Sequence, residues 1–202
     1  MADRIAQEKH ALRSELRQRL AGIDASRLAD ASRRACERLA VTEEFRRASA
    51  IMLFLPLRYE IDARALALRA WQDGKTVAVP LVGHLQRHML PVIVRSLEEP
   101  MDADQYGVQT PRGCEPFPID MLDLVVVPGL GFDRQGRRIG RGGGFYDRFL
   151  AQQALRATTC GLAVAEQIVA RIPAADHDVP LDMLATDMEV LRFAASPMIE
   201  RN

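Results

Sequence analysis

Cysteine is scarce in this 202-residue chain, and its three copies, Cys36, Cys114 and Cys160, stand far apart. No CxxC pair and no Cys/His metal spacing occurs, which excludes a zinc site or a disulfide framework of familiar pattern. Three reduced thiols fit a cytosolic protein. Net charge is also missing, because 27 basic and 27 acidic residues cancel. Nucleic-acid and membrane-surface binders need a basic excess, so neither partner is expected. Any anion site must come from local clustering. No apolar run approaches membrane-spanning length, and MADRIAQEKHALRSEL lacks the apolar core of a secretory signal. A cytoplasmic location follows as the expectation. No GxSxG is present and no cysteine lies near a histidine in a recognisable pattern, so nucleophile signatures are absent. Tryptophan occurs once, at Trp71, and is expected in the core.

What is present is an ordinary globular mixture, 48% hydrophobic and 27% charged, long enough for one domain with a substantial core. Residues 3–21 carry helical periodicity through Ile5, Leu12, Leu16 and Leu20. Ser26 is placed to cap a second helix running to about Ala40. Ser49 to Leu55 reads as a buried strand, Asp62 to Trp71 as a helix, and Thr76 to Val79 and Leu90 to Val94 as strands. His84 and His88 bracket a hairpin tip. Residues 97–118 read as loop. Leu122 to Val127 is the strand expected to feed a glycine loop, Phe145 to Leu155 a helix, and Thr159 to Val164 and Met188 to Phe193 strands. With no repeat or linker in view, this alternation predicts one α/β domain over residues 1–202. Its expected form is three layers, a mostly parallel sheet flanked by helices.

The chemistry concentrates in residues 128–148, PGLGFDRQGRRIGRGGGFYDR. Gly140, Gly142, Gly143 and Gly144 fall within five positions, threaded by Arg137, Arg138 and Arg141. Glycines admit an anion close to backbone N–H groups, a following helix adds partial positive charge, and arginines supply forked donors. The loop has neither the GK[ST] of a Walker A motif nor a GxGxxG directly after a strand. A plain turn gains nothing from three guanidinium groups, so phosphate binding is favoured over pure geometry. Asp147, in the first helical turn, is placed to hold Mg²⁺ beside phosphates.

Lys9 lies within the apolar arc of the first helix and Arg13 at its edge. Either the lysine snorkels, or both cations face a cleft holding an anion. Glu60, beyond the carboxyl end of a strand, is either a solvated loop acid or a partner for substrate N–H groups. Asp176, Asp178 and Asp182 suit either Mg²⁺ ligation or turns, and His177 reads as a surface residue.

Taken together, these segments resemble the 5-formyltetrahydrofolate cyclo-ligase family over nearly the whole chain. The resemblance rests on PGLGFDRQGRRIGRGGGFYDR, Lys9-x-x-x-Arg13, FLPLRYEID at 54–62, YGVQTP at 106–111 and HDVPLD at 177–182. It implies ATP- and Mg²⁺-dependent conversion of 5-formyltetrahydrofolate to 5,10-methenyltetrahydrofolate, with release of ADP and phosphate. In the mechanism it implies, the formyl oxygen attacks the γ-phosphate and N10 then closes the ring. The resemblance further implies that Lys9, Arg13, Arg138, Arg141, Gly142, Gly143, Gly144, Phe145 and Tyr146 contact ATP. Arg13, Arg141 and Tyr146 would be catalytic. Leu55, Glu60, Tyr106, Phe145 and Tyr146 would line the folate site, and Asp147 and Asp178 would hold Mg²⁺. Many members carry a lysine where this chain has Gly143, and Tyr-Tyr where it has Phe145-Tyr146. A monomer acting on these small molecules is expected. The alternative is a non-catalytic folate- or nucleotide-binding paralogue on the same fold.

Overall fold

The structure, a computed structural model, describes residues 2–57, 59–85, 87–104 and 107–193. Three helices come first: α1 (Ala2–Ala21), α2 (Ala25–Ala40) and α3 (Glu43–Arg47). There follow β1 (Ala50–Met52), α4 (Arg64–Gln72), and the hairpin of β2 (Thr76–Gly83) and β3 (His88–Ile93). A small hairpin, β4 (Met101–Ala103) and β5 (Gln109–Pro111), precedes β6 (Leu124–Val127). Another small hairpin, β7 (Gly131–Phe132) and β8 (Arg138–Ile139), leads to α5 (Phe145–Leu150). The chain closes with β9 (Thr158–Ala163), β10 (Met183–Thr186) and β11 (Val190–Arg192).

The main sheet runs β11-β10-β9-β6-β1-β2-β3. Its five inner strands are parallel and the two edge strands antiparallel. The α/β expectation is met. β6 explains why: LVVV is fully buried, as a parallel strand covered on both faces must be. Alternation sorts its residues by layer. Leu124 and Val126 join Leu16, Leu39, Ile51 and Leu66 beneath α1, α2 and α4. Val125 and Val127 join Met52, Phe132, Phe149 and Leu184 beneath α5.

Several expected boundaries shift, each for a local reason. Asp24, not Ser26, caps α2, its carboxylate accepting the N–H groups of Ser26 and Arg27. The expected strand over 49–55 shortens to β1, although Leu53 and Phe54 stay buried. The helix expected from Asp62 starts at Arg64, because the Asp62 carboxylate accepts the Arg64 N–H and pairs with its guanidinium. The helix expected to reach Leu155 stops at Leu150; turns then bring Leu155 into the core below β9. Residues 97–118 are not all loop, since they hold the β4–β5 hairpin, too short to show periodicity. β6 does not feed the glycine loop directly. The β7–β8 hairpin intervenes, and its turn is built on Asp133. Trp71 is half-buried, donating its indole N–H to the Val94 carbonyl at 3.2 Å.

Burial pushes the thiols of Cys36 and Cys160 up to about 12. Both therefore stay protonated and unreactive at neutral pH. Brief treatment of native protein with iodoacetamide is expected to label Cys114 alone, the half-buried third thiol. Peptide mass mapping checks this, and comparable labelling at Cys36 or Cys160 would contradict the packing described.

Candidate functional site

A cleft of about 2100 Å³ opens beyond the carboxyl ends of β1 and β6, walled by α1, the glycine loop, the β2–β3 hairpin and residues 175–182. Ligand pockets typically span roughly 300–1,000 Å³. This one has room for two ligands side by side. Its position is the usual one for an open parallel sheet.

The charged residues singled out in the sequence meet here, mostly as ion pairs. Lys9 is buried and its ammonium contacts the Asp178 carboxylate. Arg138, whose side chain is 4% exposed, donates to Asp147 at 2.7 Å and to the Val179 carbonyl at 2.6 Å. Arg141 Nε donates to Glu60 Oε1 at 2.9 Å. Arg13 instead donates to the Gly140 carbonyl at 3.0 Å, tying α1 to the glycine loop. Burial and neighbouring Arg17 both lower the Arg13 pKa, opposed by Asp178 and Asp147. Burial likewise lowers that of Arg138, with Asp147 the main opposing influence. A polyanion in the cleft would relieve both.

Asp178 has a second task. Its Oδ2 accepts the Ala175 N–H at 2.7 Å, closing the loop that presents it. Burial pushes its pKa up, but this hydrogen bond and Lys9 outweigh burial, and the net shift is downward. Asp182 is exposed, and its Oδ2 accepts from the Thr159 N–H and hydroxyl, so its role is structural. His177 is exposed, as expected.

Gly142 and Gly144 have φ of +110° and +66°, a region where side chains are strained. That conformation sets up the tight path from β8 into α5. At six residues α5 is short, so its dipole adds less than the sequence pattern suggested. At Gly143 the constraint is space: a Cβ would sit 2.7 Å from the Phe145 ring. That ring contacts His84 edge-on at 5.6 Å and carries the Arg148 guanidinium at 5.7 Å. Tyr146 is half-buried, and its enclosed hydroxyl has no hydrogen-bond partner among the described residues. Burial first, and the Glu60 charge second, push its pKa well up. An orphaned hydroxyl on a cleft wall points to a missing partner. Leu55, half-buried, lines the same cleft. Tyr106, expected to flank a ligand, lies outside the described residues.

The chain matches the model of the 5-formyltetrahydrofolate cyclo-ligase family over residues 5–187. It belongs to that family. Among its relatives, the cyclo-ligase of Mus musculus is 30% identical over 184 residues, covering 86% of this chain and 91% of the relative. That of Haemophilus influenzae is 31% identical, covering 87% and 95%. A solved structure of Aquifex aeolicus 5,10-methenyltetrahydrofolate synthetase superposes with a TM-score of 0.79. It is 26% identical and the alignment covers 96% of this chain and 97% of that one.

Cyclo-ligase membership raises the question of a metal. No group of three or more His, Cys, Asp or Glu among the described residues is arranged to hold one. Asp147 Oδ1 accepts from Arg138, and Asp178 Oδ2 from Lys9 and Ala175. Asp147 Oδ2 and Asp178 Oδ1 make no hydrogen bond among the described residues. This donor set fits Mg²⁺, which binds through one or two carboxylates and completes its shell with water and substrate phosphates.

Three residues hold the parts around the cyclo-ligase cleft together, and of these the sequence pattern marks only His84, as one side of a hairpin tip. Asp133 is fully buried and accepts three backbone N–H groups, from Gln135, Arg137 and Ile172. The Asp-x-x-Gly of FDRQG was the available signal. Arg148 donates to the carbonyls of Gly143 at 2.5 Å and Arg87 at 2.7 Å, joining the glycine loop to the β2–β3 tip. His84 meets Asp104 at 2.5 Å, joining that tip to the β4–β5 hairpin. No local pattern announces either long-range contact.

Proposed function

We propose that this chain catalyses ATP-dependent cyclisation of 5-formyltetrahydrofolate to 5,10-methenyltetrahydrofolate, releasing ADP and phosphate. Family membership supports the reaction. One observation carries the site: a single two-ligand cleft gathers Lys9, Arg13, Arg138 and Arg141 with the carboxylates of Asp147, Asp178 and Glu60.

In this reading the formyl oxygen attacks the γ-phosphorus while the bond to ADP breaks. N10 then adds to the formyl carbon and gives up its proton, and the carbon–oxygen bond breaks as phosphate leaves. Lys9, Arg13, Arg138 and Arg141 would bind the triphosphate, supplying the charge stabilisation that phosphoryl transfer needs. Gly142, Gly143 and Gly144 would let the chain approach those phosphates closely. Asp147 and Asp178 would hold Mg²⁺, which when bound neutralises phosphate charge. Glu60 would accept N–H groups of the pterin, with Leu55, Phe145, Tyr146 and Tyr106 as walls. The Tyr146 hydroxyl would donate to the reacting oxygens, and enclosure would keep water from the activated intermediate.

Purified protein mixed with 5-formyltetrahydrofolate, ATP and Mg²⁺ tests this directly. Methenyl product, followed by its absorbance, is expected only when all three are present, with one phosphate released per turnover. ATP hydrolysis indifferent to the folate would overturn the reading. Folate binding without ATP consumption would point to the non-catalytic paralogue.

A further inference from the structure

The proposed functional reading assigns Arg141 to the nucleotide and Glu60 to the folate, yet the two side chains are bonded to each other. We propose that the Arg141–Glu60 ion pair couples the two ligand sites, so that binding of either ligand strengthens binding of the other. This inference rests on that reading.

The two partners differ in freedom. The Glu60 side chain is 11% exposed, and its Oε2 is fixed by the Leu57 N–H at 3.0 Å. Arg141 is 46% exposed and sits between Gly140 and Gly142 at the tip of the glycine loop. Arg141 is therefore the partner that moves. Its Nε cannot serve Glu60 and a phosphate at once, and Glu60 Oε1 is the atom a pterin N–H would seek.

A buried carboxylate stripped of its partner is costly. A ligand that takes Arg141 Nε or Glu60 Oε1 first breaks the pair and bears that cost. The second ligand finds its own group already released. The coupling then equals the free energy of the pair, and linkage makes it the same in both directions. With Arg141 nearly half exposed, a coupling of up to about 5-fold in affinity is expected.

Titration calorimetry on the full chain tests it, using 5-formyltetrahydrofolate and a non-hydrolysable ATP analogue with Mg²⁺. In the wild type, saturating analogue is expected to tighten folate binding, and folate to tighten analogue binding by the same factor. Arg141→Met is expected to bind folate alone more tightly than wild type does, because no pair has to break. In that variant the analogue should leave folate affinity unchanged. Glu60→Gln should bind the analogue alone more tightly than wild type. Arg141→Lys, which restores a weaker partner, should show intermediate coupling. A damaged fold would weaken binding, so tightening separates coupling from a structural role. Wild type that binds both ligands with independent affinities overturns the coupling alone, as does coupling that persists in Arg141→Met. Wild type that binds neither ligand overturns the functional reading and this inference with it.

Discussion

Asp147→Asn is expected to abolish most turnover while leaving the protein folded. Asparagine keeps an oxygen to accept the hydrogen bond from Arg138 but loses the charge that would hold Mg²⁺. Metal stabilisation of phosphoryl transfer is worth several kcal/mol, and each 1.36 kcal/mol is tenfold in rate, so kcat should fall at least about 100-fold. Raising Mg²⁺ should recover part of the rate. Asp147→Ala should fail differently. Removing the carboxylate leaves the buried Arg138 guanidinium without its ion-pair partner. Breaking a buried pair in this way costs about 3–5 kcal/mol. The alanine variant should therefore lose stability as well as activity. Steady-state kinetics across a Mg²⁺ series, set beside thermal melts of both variants, separates the two effects. An asparagine variant with wild-type kcat at low Mg²⁺ would move the metal role elsewhere.

The largest expected effect on stability lies outside the ion pairs. Asp133→Ala would strand the buried N–H groups of Gln135, Arg137 and Ile172. A buried donor left unsatisfied costs about 1–3 kcal/mol, so three cost about 3 kcal/mol even at the lower end. Domains are stable by about 5–15 kcal/mol, which makes this a large fraction of the total. At this chain length each kcal/mol shifts Tm by roughly 2–4 °C, so a fall of roughly 6–12 °C is expected. Asp133→Asn keeps one accepting oxygen but turns an amide toward the third N–H, and its Tm should fall between the two. Calorimetry on the three proteins decides it. An alanine variant melting with the wild type would mean that these donors find other partners.

Strand β6 was legible because four buried apolar residues in a row have few other interpretations. For Lys9 the apolar arc leaves a snorkelling and an anion-facing lysine both open, and the structure sets its ammonium on the Asp178 carboxylate. The glycine loop was visible in composition, but its partners were not. That Arg141 meets Glu60 across 81 positions, or that Lys9 meets Asp178 across 169, depends on strand order, which no local pattern carries. The β4–β5 and β7–β8 hairpins were missed because strands of two or three residues are too short to display a period. Asp133 was passed over because a single turn acid gives no sign of how many donors the fold will aim at it.

The contact of Gly143 with Phe145 bears on the chain's evolutionary routes. A side chain acquired at position 143 would displace a ring held between His84 and Arg148. Loop, helix and hairpin tip would all feel that one change. Substitution at 143 is thus epistatic with residue 145. In this chain a cation added at 143 requires the Phe145 ring to shift. Glycine at 143 suits the ring geometry of this chain, and an extra charge for the phosphates would come at the expense of that geometry.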